Sequence, residues 1–303
     1  MLTSDQIKAR AKELGAAVCG IGNIYEESNP QRDPRQILPN AKCIIGFGFA
    51  VPKGLYKAME HGNQFYTYTT LGVKYIDEEM AEIFLLKMGG LIENEGYDAC
   101  LQKAIPNLRI KGDPTTNPEV MDTYELIHAE AVAPGKPVPD VIIDFGKAAK
   151  ACGIGEMGLN GKIINRKYGP FMRYCFIITD APLEPDPVTE EKLCDHCGAC
   201  ITACPGNAVS EDGLDTWQCS VYYKGAHKSN PFMTDDFLKD HPERDAILNG
   251  EKRFNSKTAR EIYQEMKFLP NTHWGYSPCL CGRKCDIACY RHLVGELYEA
   301  KHL

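Results

Sequence analysis

The chain has 303 residues, 44% of them hydrophobic and 25% charged, with a formal charge of −7. That length buries a sizeable core without disulfide or metal staples. The acidic balance, with no block of Lys and Arg, disfavours a nucleic acid as partner. No stretch approaches about 18 continuous apolar residues, and the opening MLTSDQIKARAKELG holds no apolar leader, so a cytoplasmic chain without a membrane partner is expected.

Thr3 and Ser4 offer an N-cap. Ile7, Ala11 and Leu14 follow at helical spacing, and Gly15 ends the helix. Residues 16–22 (AAVCGIG) and 42–51 (KCIIGFGFAV) read as buried strands, separated by a Pro- and Arg-rich connector over 29–39. Residues 56–75 are rich in aromatics, among them Tyr56, Phe65, Tyr66, Tyr68 and Tyr75. Met80, Ile83, Phe84, Met88 and Leu91 mark one face of an amphipathic helix ending at Gly96, and 97–104 reads as a strand. Residues 105–139 carry many prolines and a short helical piece around 124–131, the mark of a long loop over a surface or site. A short helix over 144–152 leads into CGIGEMGLNGK, and 163–164 and 172–179 are the last strand candidates. The proline-rich 180–189 is the expected boundary between an α/β or α+β domain over 1–185 and a mainly helical, metal-held domain over 186–303.

Of 14 cysteines, nine fall after residue 190. The run Cys194-Asp-His-Cys197-Gly-Ala-Cys200-Ile-Thr-Ala-Cys204-Pro205 reads C-x2-C-x2-C-x3-C-P, the pattern with which bacterial ferredoxins hold iron–sulfur clusters. Three thiolates on a tight loop wrap three corners of a cubane, and the fourth serves a second cluster. Zinc, the competing reading, takes two separated C-x2-C pairs. The five upstream cysteines, Cys19, Cys43, Cys100, Cys152 and Cys175, lie singly in apolar surroundings and read as core.

Gly153-Ile-Gly155-Glu-Met-Gly158 matches G-x-G-x-x-G, which signals a dinucleotide only between a strand and the helix it opens. Here a helix precedes and a strand follows. The glycines instead allow a tight turn or close approach to a flat ligand.

Several stretches together resemble the superfamily of epoxyqueuosine reductases and reductive dehalogenases: 7–22, 42–49 and above all 152–186. In that family a G-[LI]-G-x-x-G-x-[NG] loop, a Y-G-P-x-x-R segment and a T-D-x-P-L-x-P-D segment lead into the cysteine run. This chain has GIGEMGLNG, then Tyr168-Gly-Pro170 with Arg173, then Thr179-Asp-Ala-Pro-Leu-Glu-Pro-Asp186. The resemblance implies two [4Fe–4S] clusters and a base-off cobalamin in the N-terminal domain. Loops including Gly153, Gly155, Gly158, Asn160, Gly161 and the Tyr168 segment are the expected corrinoid contacts.

Trp217-Gln-Cys219 fits the family's lone cysteine. The final group is Cys279-Leu-Cys281-Gly-Arg-Lys-Cys285-Asp-Ile-Ala-Cys289-Tyr290. By the resemblance, the first cluster takes Cys194, Cys197, Cys200 and Cys289, and the second takes Cys204, Cys219, Cys281 and Cys285. Cys279 is then spare, unless it replaces Cys219 or Cys281. The family's proline after the last cysteine is Tyr290 here.

Asp140 stands nearest to the family's acidic proton-donor element, with a helix N-cap as its other reading. Tyr66, Tyr68 or Tyr75, helped by Arg173, are further candidate proton donors, with packing as their alternative. The implied function is an iron–sulfur oxidoreductase. A low-potential donor such as ferredoxin or flavodoxin passes electrons through the second cluster, then the first, to cobalt, reducing a small-molecule substrate. The other readings are an electron-transfer or activating protein serving a corrinoid protein, and a two-cluster protein without a corrinoid.

Overall fold

The computed structural model describes residues 2–103, 108–111, 125–128, 140–188, 192–272 and 275–295. Its centre is a four-stranded sheet in the order β1-β2-β8-β3, formed by β1 (Val18–Asn23), β2 (Cys43–Ala50), β3 (Ala99–Gln102) and β8 (Met172–Thr179). Every pairing is antiparallel, which settles the layer domain as α+β. The two inner strands are buried nearly end to end because both faces of the sheet are covered.

Alternate side chains feed two separate cores. Cys43, Ile45, Phe47, Phe49, Cys175 and Ile177 face one side. There they meet Ile7 and Ala11 of α1 (Ser4–Glu13) and Phe84, Met88 and Ile92 of α5 (Ala81–Asn94). Ile44, Tyr174, Phe176 and Ile178 face the other side, under Ala148 and Ala149 of α6 (Phe145–Ala151). Between β1 and β2 lies the short α2 (Pro34–Ile37). Between β2 and α5 come α3 (Lys53–Glu60), α4 (Phe65–Thr69) and two π-helical turns, Thr70–Lys74 and Ile76–Met80.

β4 (Leu108–Lys111) and β5 (Glu125–His128) pair antiparallel. A strand therefore occupies 125–128, where the sequence suggests a helical piece. A short apolar run does not distinguish the two by periodicity, and pairing decides. The rest of the expected 105–139 loop, apart from β4, lies outside the described residues. The glycine loop runs from α6 into a small hairpin, β6 (Glu156–Met157) with β7 (Ile163–Ile164), the helix–loop–strand order read from the sequence.

The proline-rich 180–186 does not hang free. Asp186 exchanges backbone and side-chain hydrogen bonds with Ile21, at 2.7 Å to its carbonyl and 2.8 Å from its N–H, and pairs with Lys8. Beyond it lie α7 (Ala199–Ala203), the hairpin β9 (Val209–Ser210) and β10 (Gly213–Leu214), α8 (Thr216–Tyr223), α9 (Arg244–Leu248), α10 (Ser256–Tyr263) and α11 (Lys284–Leu293). Val221, Tyr222, Phe237, Ile247, Phe254 and Ile262 form a third core there. The last segment returns to the first core through Cys279, Leu280 and Ile287. A stacked column of rings, Tyr56 on Phe171 at 3.6 Å and Phe171 on Tyr290 at 4.4 Å, carries α3, the start of β8 and α11.

The strand glycines let α6 settle directly on β1. A Cβ on Gly20 would lie 2.0 Å from the Cys152 carbonyl oxygen, whereas one on Gly54 meets nothing. Gly20→Ala is expected to lower stability by at least the ~1–3 kcal/mol of ordinary overpacking. Gly54→Ala, in a helix, should be neutral or stabilising. Denaturant midpoints of the two variants against the parent check this.

Candidate iron–sulfur and reductase site

The first cysteine run lies on a loop with two left-handed residues, His196 (φ 58°) and Gly198 (φ 74°), before α7 begins. Its entry is pinned by Glu156, whose Oε1 accepts the backbone N–H of Leu193 (2.5 Å) and Cys194 (2.8 Å). Asp195 accepts the N–H of Cys197 at 3.1 Å. Cys200 sits inside α7 and is buried, and Cys197 is exposed. Cys204 caps α7 in an extended conformation, and its Sγ accepts the Ala208 N–H at 3.2 Å. Cys219 lies on α8, while Cys285 and Cys289 lie one turn apart on α11, which packs against α7.

The thiols fall into two neighbourhoods. Burial pushes Cys289 up to about 12, with Asp286, Cys200, Cys194 and Cys197 acting the same way. Burial pushes Cys219 up to about 11, with Cys281 and Cys204 adding to it. Cys285 is likewise held well above the ordinary thiol value by burial and by Asp286, with Cys281 and Cys219 beside it. Cys289 thus neighbours the thiols of the first run, while Cys204, Cys219, Cys281 and Cys285 neighbour one another.

Cys279 is different. Its Sγ lies 3.6 Å from that of Cys281, and Tyr68, Tyr223 and Arg283 are among its neighbours. Buried thiols with raised pKa stay protonated unless a cation compensates, and an iron–sulfur cluster supplies that charge. The donor set therefore fits two clusters.

The candidate catalytic residues separate. Tyr68 is buried, packed edge-on to Tyr56 at 5.1 Å, and the Arg283 guanidinium opposes the rise that burial imposes on its phenol. Arg173 donates to Asp77 from Nε at 2.8 Å and from its terminal nitrogen, and Tyr68 and Tyr56 lie close to it. Tyr66 instead donates to the Pro270 carbonyl at 2.6 Å. Tyr75 is 37% exposed, with the Lys74 ammonium 4.6 Å from its ring centre. Asp140 is exposed, and Asp144 caps α6 by accepting the Lys147 N–H at 3.0 Å, so the cap reading of Asp140 is corrected. Tyr68 and Arg173 thus come together, while Tyr66, Tyr75 and Asp140 are not among their partners.

Tyr68 lies near Cys279 and near Arg283, which stands between Cys281 and Cys285 in the chain. Lys162 belongs to the same group. Arg283, burial and Arg173 lower its pKa to about 8, against the pull of Asp286 and Asp77.

Sequence reading missed Asp77, Lys162, Arg283 and Asp286. Asp77 is turned inward by the π-helical turns, a geometry that often marks functional segments. Three carboxylates, Asp77, Glu78 and Glu79, lie between Ile76 and Met80, and nothing in the sequence marks Asp77 as the one that turns inward.

The expected corrinoid contacts face mostly the chain itself. A Cβ on Gly161 would meet Leu214 at 2.7 Å and one on Gly155 the Ile164 carbonyl at 2.6 Å. Asn160 donates to Asp286 at 3.1 Å. Tyr168 packs against the core on the α6 side of the sheet. Gly153 and Gly155 do line a cavity of about 270 Å³. A neighbouring one of about 420 Å³ shares Lys150 and Glu156 with it and reaches Cys194.

A family model described as a 4Fe-4S binding domain matches residues 187–210. The epoxyqueuosine reductase of Leadbetterella byssophila is 40% identical over 247 residues, covering 72% of this chain and 68% of that protein. A tetrachloroethene reductive dehalogenase of Dehalobacter restrictus is 37% identical over 67 residues, 21% of this chain and 12% of that one. A solved epoxyqueuosine reductase from Streptococcus thermophilus superposes over 88% of this chain and 67% of its own, at 18% identity and a TM-score of 0.47. No helix among the described residues is long and apolar enough to cross a membrane.

Removing Asp77 leaves the Arg173 charge buried without its partner, which typically costs about 3–5 kcal/mol. Asp77→Ala is expected to be destabilised on that scale, and Asp77→Ala/Arg173→Met to recover most of the loss. Equilibrium unfolding of the single and double variants measures it.

Proposed function

This chain belongs to the superfamily of epoxyqueuosine reductases and reductive dehalogenases, and we propose that it is an iron–sulfur reductase whose two [4Fe–4S] clusters carry low-potential electrons to a small-molecule substrate. The observation that carries this reading is the grouping of the thiols into two neighbourhoods, with Arg283 between Cys281 and Cys285 and close to the buried Tyr68. In this reading residues 1–185 form the reductase-like unit and 186–303 the two-cluster unit, closed by α11.

The first set of cysteines has its edge at the surface through exposed Cys197 and is the entry for an electron donor such as ferredoxin or flavodoxin. The second, whose Cys281 and Cys285 flank the buried Arg283, delivers inward. There Arg173, fixed by Asp77, and Lys162 place positive charge where a substrate gains electrons. The buried Tyr68 hydroxyl, beside Arg173, is the proton source.

Cobalamin is part of this proposal as the cofactor the family implies, and it would supply a strongly reducing cobalt centre. Gly153 and Gly155 line a cavity of about 270 Å³, while Gly155, Asn160 and Gly161 are packed against the chain itself.

Anaerobic reconstitution with iron, sulfide and cobalamin, followed by EPR, tests the reading. Two interacting cluster signals and a base-off cob(II)alamin signal are expected. Clusters without cobalamin retention, even at excess, would leave an electron-transfer protein serving a partner instead. In the same assay Cys279→Ser should keep both clusters. Cys289→Ser should disturb only the first cluster and Cys219→Ser only the second. Loss of a cluster in Cys279→Ser would overturn the ligand assignment.

A further inference from the structure

We propose that the cavity at the end of α8, lined by Lys224 and Lys267, binds a small organic anion: a carboxylate or a phosphate ester with an apolar body. No cysteine lines this cavity, and neither Tyr68 nor Arg173 does, so it is a site additional to the one described above.

The cavity holds about 510 Å³, within the size range of small-molecule sites. One wall is the segment that carries Cys279. Pro278 and Leu280 line it, and the Leu280 N–H donates to the Tyr223 carbonyl at 2.8 Å, closing that wall onto the end of α8. The other wall is the stretch after α10, which Tyr66 holds by donating to the Pro270 carbonyl at 2.6 Å. Met266, Leu269 and Leu280 supply apolar surface between them.

The polar groups here are donors that lack an acceptor. Lys224 is half-buried, and its ammonium carries three hydrogens. One goes to the Ser277 hydroxyl, and the nitrogen lies 5.1 Å from the centre of the Tyr263 ring. Ser277 in turn donates to Asn271 Oδ1 at 2.9 Å, which leaves the Asn271 amide nitrogen without an acceptor among the described residues. Among the described residues no carboxylate lines the cavity, while the exposed Lys267 adds a second positive charge. Burial lowers Lys224 below the ordinary lysine value, and no carboxylate acts against it.

A half-buried ammonium without a counter-charge is costly, and an anion seated beside it removes that cost. A carboxylate or phosphate can accept from Lys224 and Asn271 together, in charge-assisted hydrogen bonds that a neutral head group does not match. A cationic head group is repelled by both lysines. The apolar body then lies on Met266, Leu269 and Leu280.

Isothermal titration calorimetry on the anaerobically reconstituted chain, with hexanoate, inorganic phosphate and hexan-1-ol as probes, tests the site. Hexanoate is expected to bind once per chain, and hexan-1-ol, the same body without the charge, to bind far more weakly. Lys224→Met keeps the stem and removes the charge, and should weaken hexanoate by at least about tenfold. Its denaturant midpoint should equal or exceed that of the parent, because an unpaired charge has left a half-buried position. Lys224→Arg should retain binding. The exposed Lys267→Met should fold as the parent does and weaken hexanoate by less than Lys224→Met.

Tighter binding of phosphate than of hexanoate through Lys224 assigns the occupant as a phosphate ester, and the reverse order assigns a carboxylate. Failure of both anions to bind, hexan-1-ol binding as tightly as hexanoate, or binding that survives both Lys224→Met and Lys267→Met would overturn the proposal.

Discussion

A buried carboxylate ties α11 to the glycine loop that follows α6. Asp286 receives Arg283 from the start of its own helix and Asn160 from that loop, and stands beside the thiol of Cys285. A fully buried carboxylate persists only when paired and hydrogen-bonded, and here the bonds come from two distant stretches of chain. The position of α11 against the sheet, and with it the facing of Cys285 and Cys289, depends on that satisfaction. The Phe171–Tyr290 stack supports the same contact with apolar area.

Much of the fold was legible in the residues because period and punctuation agreed. Residues 42–51 and 172–179 read as buried strands, and β2 and β8 occupy Cys43–Ala50 and Met172–Thr179. The unbroken apolar runs are the mark of strands covered on both faces, but which elements cover each face was not legible, since a run of that kind names no partner. The stretch over 124–131 misled for a related reason, as a four-residue strand such as Glu125–His128 carries no usable period.

The site divides along the same line. Cysteine spacing carried the two thiol sets because spacing and connectivity are local properties of chain and helix. Tyr68 and Arg173 were on the list of candidates, but so were Tyr66 and Tyr75, and nothing in the sequence separates them. Only burial and the π-helical turns do, by turning Tyr68 and Asp77 inward and leaving Tyr75 outside. Arg283 sat unnoticed between two cysteines, because a left-handed arginine gives no signal until the backbone is seen.

The Asp186 contacts carry one more consequence. By bonding both its backbone and its carboxylate to Ile21, the proline-rich connection becomes an extension of the sheet rather than a hinge. Residues 180–186 cannot leave the edge of the sheet without first breaking bonds to β1, so this stretch moves with the sheet rather than independently of it.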